Sequence, residues 1–170
     1  MFGFGLLCLA TFKGKKMEDL ISIVIPAYNA EAFIANTLDT ILRQTYPHFE
    51  VVIVNDGSRD NTLDIVNNYA KKDSRIRVFT QENGGVSAAR NTALQHVKGK
   101  YLTYVDSDDT VPENALYDMV SLMADDVDMV VASHNDVHLK KKPYIEKVRA
   151  FTPQQIQDEF IEFDSVMWWP

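Results

Sequence analysis

Residues 21–58, "ISIVIPAYNAEAFIANTLDTILRQTYPHFEVVIVNDGS", alternate between two kinds of apolar pattern. The runs "ISIVI" (21–25) and "EVVIV" (50–54) are short, continuous and rich in β-branched residues, which predicts strands buried on both faces. Between them, apolar residues recur at helical spacing over residues 31–44. A strand, a helix and a second strand in this order predict a right-handed crossover between parallel strands.

The same alternation continues along the chain to about residue 133. It predicts further helices over residues 60–72, 86–98 and 112–124, and further strands over residues 76–79, 101–105 and 127–133. A residue at or near Asp60 is expected to cap the first of these helices, and Gly99 is expected to stop the second. The chain is therefore predicted to form an α/β fold, with a mainly parallel sheet and helices on both faces.

The composition excludes several classes of function. With 170 residues the chain suits one domain of ordinary size, and its net charge of −7 argues against nucleic acid or an anionic membrane as a partner recognised by bulk charge. Its single cysteine, Cys8, excludes an internal disulfide framework and a cysteine-cluster metal site. A single cysteine also fits a reducing cytoplasm, which is the expected location.

The two ends of the chain differ from its middle. Residues 1–16 begin with the apolar run "MFGFGLLCLATF", which is too short to span a bilayer and is followed by "KGKK". We expect this leader to derive from upstream translation or cloning, with a weak membrane-surface tether as the alternative. Beyond residue 134 the pattern weakens, although a helix is predicted to begin near Pro153. The chain stops directly behind two tryptophans, so we expect it to be truncated at the C-terminus.

Polar residues gather directly behind three of the predicted strands. These segments are "PAYN" (26–29), "NDGS" (55–58) and "DSDD" (106–109). In open parallel sheets, ligands bind beyond the carboxyl ends of the strands, at the point where the strand order reverses. The sequence therefore predicts a binding site built from these three segments.

The segment 106–109 holds three carboxylates in four positions, where like charges repel. A solvated loop leading into a helix explains one or two of them, and that interpretation stays open. A Mg²⁺ or Mn²⁺ ion would relieve the repulsion, and such ions complete their shells with water and substrate phosphates. A phosphorylated ligand is therefore expected. Arg90, which follows "NGG" (83–85) at a predicted helix start, is a further candidate for an anion contact.

Three stretches, taken together and in order, resemble the nucleotide-sugar-binding half of the family 2 glycosyltransferases. They are "SIVIPAYNAEAFIANTLDTILRQTYPHFEVVIVNDGSRDNT" (22–62), "ENGGVSAARNTAL" (82–94) and "GKYLTYVDSDD" (99–109). The resemblance covers roughly residues 20–133 and implies the GT-A fold, a Rossmann-like α/β architecture. It divides the chain into a leader (1–16), a nucleotide-sugar-binding domain (17–133) and the incomplete start of an acceptor-binding region (134–170).

The resemblance implies roles for the residues behind the first two strands and at the third helix. Pro26, Ala27 and Tyr28 are expected to line the nucleotide pocket, and Glu31 is also expected to face the nucleotide. Asp56 is expected to form a hydrogen bond with the base, typically uracil.

The remaining implied roles concern the charged residues near the diphosphate. Arg90 is expected near Asp56 or the nucleotide, and Asp106 and Ser107 near the ribose and diphosphate. Asp108 is the expected metal ligand, and Asp109 is expected to cap the following helix.

The resemblance also implies a reaction. A Mn²⁺ or Mg²⁺ ion would assist departure of the nucleoside diphosphate, and a glycan or other hydroxyl acceptor would attack with inversion of the anomeric centre. In full-length relatives the general base lies well beyond the metal motif. Glu159, Glu162 and Asp164 match no motif of the family, so the general base is unassigned and is expected to be absent from this chain. The expected setting is the cytoplasm, with at most peripheral membrane association, and the synthesis of bacterial surface polysaccharide.

Three other functions remain open. "YVDSDDT" (104–110) also fits the D-x-D-x-T pattern of haloacid-dehalogenase-type phosphatases, in which Asp106 would be the nucleophile and Asp108 the general acid. A nucleotidyltransferase shares the architecture and the metal, but "PAYNAEAF" (26–33) is not the basic glycine-rich loop that such enzymes carry. The third is a non-catalytic nucleotide-binding fragment.

Overall fold

The structure is a computed structural model that describes residues 7–10, 18–123, 129–132 and 149–151. Within these residues strands and helices alternate from residue 21 to residue 132, as the apolar pattern predicts. The elements are β1 (Leu7–Ala10), β2 (Ile21–Ala27), α1 (Ile34–Leu42), β3 (Phe49–Asp56), α2 (Thr62–Lys72), β4 (Ile76–Gln81), α3 (Val86–Leu94), β5 (Tyr101–Tyr104), α4 (Ala115–Leu122), β6 (Met129–Ala132) and β7 (Arg149–Phe151).

One sheet contains all seven strands, in the order β4-β3-β2-β5-β1-β6-β7. The first four are parallel to one another, with Ile21 of β2 opposite Phe49 of β3 on one side and Tyr101 of β5 on the other. The chain runs outward from β2 to β4 and then crosses back to β5, so the strand order reverses beside β2. The predicted mainly parallel α/β sheet is confirmed.

Strand β1 lies inside the predicted leader. It is antiparallel to β6 over Leu7–Ala10 and meets β5 where Ala10 faces Leu102. Strand pairing was not expected for this segment, and the leader's origin and the other domain limits stay predictions.

Helices cover both faces of the parallel strands because alternate residues of each strand point to opposite sides. On one face, α1, α2 and α4 pack against β2 and β3 through a large cluster that includes Ile23, Ile25, Ile34, Leu38, Ile41, Val51, Ile53, Val66, Leu116 and Met119. On the other face, α3 packs through a smaller cluster of Val24, Val52, Val54, Ala89 and Ala93. The strands are therefore buried on both sides, as their continuous apolar runs predict. In the part of the chain that the structure describes, no helix is long and apolar enough to cross a membrane.

All four predicted helices are longer than the observed ones. Helix α1 begins at Ile34, α2 begins at Thr62, α3 ends at Leu94 and α4 begins at Ala115. Residues 124–128 and the helix predicted near Pro153 lie outside the described residues.

The prediction that Gly99 stops α3 is wrong, because the helix ends five residues earlier. Gly99 instead allows a close crossing over the start of β2. A Cβ atom at this position would lie 2.5 Å from the Ser22 backbone nitrogen and 2.8 Å from the Leu20 carbonyl oxygen. The Gly99 N–H also donates to Ser22 Oγ at 2.8 Å, and this hydroxyl donates in turn to the buried Glu50 carboxylate at 2.7 Å.

Gly99→Ala is expected to lower the free energy of unfolding by about 1–3 kcal/mol, because backbone atoms of β2 must move to admit the methyl group. Urea denaturation measures this loss. Adding Ser22→Ala removes one close neighbour but leaves the two backbone contacts, so the double variant should regain no stability. Wild-type stability in Gly99→Ala would contradict the observed crossing.

Candidate functional site

The carboxyl ends of β2, β3 and β5 and the start of α3 surround one cleft of ≈ 540 Å³. Its lining consists of Pro26, Ala27, Tyr28, Asp56, Asn83, Gly85, Val86, Ala89, Arg90, Asp106, Ser107 and Asp108. Every predicted site residue except Glu31 is among them. The parallel pairing of three strands therefore brings together segments that lie up to about 80 positions apart in the sequence.

The loop behind β2 is fastened to the loop behind β3. Asn29 adopts the left-handed conformation, with a φ of 48°, which asparagine tolerates better than most residues. Its backbone N–H donates to Ser58 Oγ at 3.0 Å, and its Oδ1 accepts from the Arg59 N–H at 2.8 Å. These bonds hold the neighbouring Tyr28 at the edge of the cleft, where about half of its side chain (48%) is exposed.

Glu31 serves the same junction and is not brought into the cleft. Its carboxylate accepts from the backbone N–H and the side-chain amide of Asn61, both at 2.9 Å. Its own N–H donates to Asp60, and the Asp60 carboxylate accepts from the N–H of Thr62, the first residue of α2. The cap position of α2 is thus occupied by Asn61, next to the expected Asp60, and Asp60 satisfies the N–H of the first helical residue from one position further away. The nucleotide contact of Glu31 stays a prediction.

Asp56, at the end of β3, anchors the turn that leads into α3. One carboxylate oxygen accepts from Gln81 Nε2 at 2.7 Å and from the Gly84 N–H at 2.9 Å. The other accepts from the N–H of Gly85 at 2.8 Å. A carboxylate has about four acceptor positions, so Asp56 keeps about one for a ligand.

Asn83 and Gly85 are cleft residues that sequence reasoning did not select. The Asn83 amide donates to the Asp56 carbonyl at 3.1 Å, and Gly85 adopts a φ of 86° directly before α3. In the sequence, the pair "GG" before a predicted helix indicates only an anion contact nearby. The signal for the structural role of this turn is the acidic residue at the end of β3, Asp56.

Arg90 of α3 compensates the first carboxylate of the acidic segment. Its Nη2 lies 3.0 Å from Asp106 Oδ1, and its guanidinium lies 5.4 Å from the centre of the Tyr104 ring. Both charged side chains are partly exposed, so the pair remains within reach of a bound ligand. Arg90 thus relieves the predicted repulsion among the three carboxylates of the segment 106–109 at one of them, Asp106.

Asp109 is partly buried, and one of its carboxylate oxygens is out of contact with solvent. Burial, together with the charges of Asp106 and Asp108, raises the pKa of Asp109 to about 6. Its Oδ2 has no hydrogen-bond partner among the described residues. The prediction that Asp109 caps the following helix is wrong, because α4 begins only at Ala115 with Asn114 in the cap position.

The third carboxylate of the segment, Asp108, also lines the cleft. Within the described part of the chain it forms no hydrogen bond or ion pair. No group of three or more histidine, cysteine, aspartate or glutamate side chains in these residues could hold a metal by itself. The residues present fit a Mg²⁺ or Mn²⁺ ion held by one or two carboxylates, with substrate phosphates as the other ligands.

The raised pKa of Asp109 predicts a pH-dependent stability. Folded Asp109 keeps its proton to about pH 6, whereas the unfolded chain releases it near pH 3.8, the ordinary value for an aspartate, so stability falls as pH rises between these values. Asp109→Asn removes this titration. In EDTA we expect the variant to match the wild type at pH 4 and to exceed it by about 1 kcal/mol at pH 7.5, a figure reduced for partial solvation.

Urea denaturation at several pH values measures this difference. Asp64→Asn, which removes an exposed carboxylate from the first turn of α2, is the control and should give no such gain. Parallel pH profiles of Asp109→Asn and the wild type would contradict the burial of this carboxyl group.

Comparison with known proteins identifies the family and the fold. The family model described as glycosyl transferase family 2 matches residues 22–166. An uncharacterized glycosyltransferase of Bacillus subtilis, EpsJ, is 48% identical over 95 residues, which are 56% of this chain and 28% of that protein. Glycosyltransferase GlyG of Streptococcus pneumoniae is 39% identical over 120 residues, which are 69% of this chain and 40% of that protein.

Solved structures give the same result. TarS of S. aureus, in complex with UDP-GlcNAc, aligns with a TM-score of 0.56 and 37% identity over 59% of this chain and 30% of its own. The mannosyltransferase PcManGT of Pyrobaculum calidifontis, in complex with GDP-Man and Mn²⁺, aligns with a TM-score of 0.61 and 29% identity over 66% of this chain and 35% of its own. The chain thus spans well under half the length of these relatives.

Proposed function

The chain belongs to glycosyl transferase family 2, and we propose from this that its cleft binds a nucleoside-diphosphate sugar together with a divalent cation. The proposal rests on the carboxylate of Asp108, which forms no hydrogen bond or ion pair with the described residues. It shares the cleft with the Arg90–Asp106 pair and with Tyr28. A nucleotide sugar needs these features, because it presents an aromatic base, two phosphates and a sugar in a row.

The base is proposed to lie against Pro26, Ala27 and the half-exposed ring of Tyr28. The remaining acceptor position of Asp56 would take an N–H of the base, and uracil offers one. Relatives with nucleotides bound support this class of ligand, since TarS holds UDP-GlcNAc and the Pyrobaculum enzyme holds GDP-Man. We propose a UDP-sugar as the donor.

The diphosphate is proposed to lie at the end of β5, near Asp106, Ser107 and Arg90. Asp108 would hold Mn²⁺ or Mg²⁺, with Asp106 beside it, and the Mn²⁺ present in the Pyrobaculum enzyme supports a divalent ion. A bound ion of this kind stabilises the negative charge that grows on a leaving diphosphate. Arg90 holds the Asp106 carboxylate in place through their 3.0 Å contact, and its own charge would face the same phosphates.

The proposed reaction is transfer of the sugar to a hydroxyl of a glycan or other acceptor, with inversion of the anomeric centre. This chain's contribution is to bind and orient the donor. The general base is unassigned, because Glu159, Glu162 and Asp164 lie outside the described residues. We propose residues 17–133 as the donor domain, residues 134–170 as the start of the acceptor region, and the cytoplasm, with peripheral membrane association at most, as the setting for polysaccharide synthesis.

The phosphatase alternative has no support. Its nucleophile would be Asp106, and Arg90 holds this carboxylate just beyond β5, the fourth of the parallel strands, rather than beside a strand that begins the core. The family match points away from it as well.

Titration calorimetry with UDP tests the proposal. We expect UDP to bind the wild type in the presence of Mn²⁺ and to lose its affinity in EDTA. Asp108→Asn keeps the shape of the side chain but removes its charge, so it should weaken Mn²⁺-dependent binding by more than about tenfold.

Asp64→Asn, the same substitution at an exposed position on α2, should bind UDP as the wild type does. A wild type that binds UDP neither with Mn²⁺ nor with Mg²⁺ would refute the proposed donor site. Equal binding by Asp108→Asn would refute the role of Asp108.

A further inference from the structure

Helix α1 and the residues directly after it carry three buried polar side chains. Thr37, Thr40 and Gln44 are between 0% and 8% exposed. Their spacing of three and four positions places them on one side of the helix. Polar groups are rarely buried unless they form hydrogen bonds, so this row must have partners.

Each of the three side chains has a partner in the backbone of the segment 107–116, which runs from the loop behind β5 into the start of α4. Thr37 Oγ1 donates to the Ser107 carbonyl at 2.9 Å, and Thr40 Oγ1 accepts from the Val111 N–H at 3.1 Å. Gln44 donates to the Pro112 carbonyl at 2.6 Å and accepts from the Leu116 N–H at 3.1 Å. The row therefore holds the whole connection, beginning at the residue before Asp108.

Thr37 contacts the backbone of the loop between residues 105 and 111, whereas Arg90 of α3 contacts the Asp106 side chain. The last sheet bond of this stretch joins the Val105 N–H to the Val24 carbonyl at 3.0 Å. Between that bond and the one at Val111, Thr37 forms the only hydrogen bond that another element in the described residues makes to the loop backbone.

The hydroxyl of Thr37 is directed to the loop rather than to its own helix. Buried threonines in helices commonly donate to the carbonyl four positions earlier. Here that carbonyl, of Phe33, is 3.5 Å away, whereas the Ser107 carbonyl is at 2.9 Å. The contact with the loop is therefore the stronger one.

We propose that Thr37 is a positioning residue for the cation site, an inference that rests on the proposed function. The Ser107 carbonyl belongs to the peptide unit that continues into Asp108, and a peptide unit is planar. Fixing the carbonyl therefore fixes the N–H and the Cα of Asp108, from which its carboxylate projects into the cleft. Without the hydroxyl, the loop would spend less time with this carboxylate directed toward the bound ion.

Thr37→Val tests this inference, because valine keeps the shape of threonine and removes only the donor. The readout is the Mn²⁺ concentration that half-saturates UDP binding, measured by calorimetry at fixed UDP. We expect Thr37→Val to raise it by about tenfold, as is usual when a group that orients a metal ligand is lost. Saturating Mn²⁺ should restore UDP binding, and Thr37→Ser should keep the wild-type concentration.

Thr103→Val is the matched control. Thr103 lies on β5, the strand that leads into the same loop, and is 0% exposed, but its hydroxyl has no partner among the described residues. The substitution should leave the Mn²⁺ requirement unchanged. If Thr37→Val does not fold, Thr37→Cys, which keeps a weak donor of similar size, takes its place with a shift in the same direction.

These measurements distinguish the role of Thr37 from the existence of the donor site. A wild type that binds UDP with Mn²⁺, together with an unchanged requirement in Thr37→Val, overturns the role of Thr37 and leaves the donor site intact. An equal shift in Thr103→Val also overturns it, because general loosening would then be the cause. A wild type without Mn²⁺-dependent UDP binding overturns both claims.

Discussion

The parallel pairing of β2 with β3 and β5 is the constraint on which the cleft depends. Seven consecutive residues of β2 are buried, and the strand is in register with both neighbours, so the three carboxyl ends open at one edge. The polar segments behind these strands meet there whatever their distance in sequence. The helices then complete the cleft, because α3 supplies Arg90 from one face of the sheet while α1 secures the loop behind β5 from the other.

The three carboxylates behind β5 have three different environments, and this difference gives the site its chemistry. Asp106 is paired with Arg90, Asp109 is partly buried with a raised pKa, and Asp108 is left without a partner in the described residues. Three carboxylates that look alike in the sequence thus differ in the structure. Asp106 is neutralised by an arginine, Asp109 has a raised pKa, and Asp108 is the one that can accept a ligand. The proposed cation requires the last of these and benefits from the first.

The succession of strands and helices over residues 21–132 and most of the cleft could be predicted from sequence, because both depend on local patterns. Apolar runs mark the strands, and the polar residues directly behind them mark the site. Glu31 and Gly99 could not be placed in this way. Their partners, Asn61 and Ser22, lie 30 and 77 positions away, and no local pattern reveals such contacts. The partly buried position of Asp109 was missed for a similar reason, since the cap interpretation considered only the helix that follows it.

We propose above all that this cleft holds a nucleoside diphosphate through a cation bound to Asp108. A crystal structure of the chain with UDP and Mn²⁺, with data collected at the manganese absorption edge, tests it most directly. We expect one anomalous peak in the cleft. It should mark a manganese ion bonded to an Asp108 carboxylate oxygen and to the diphosphate, with the base beside Tyr28. Manganese bound away from Asp108, or UDP bound outside the cleft, would contradict it.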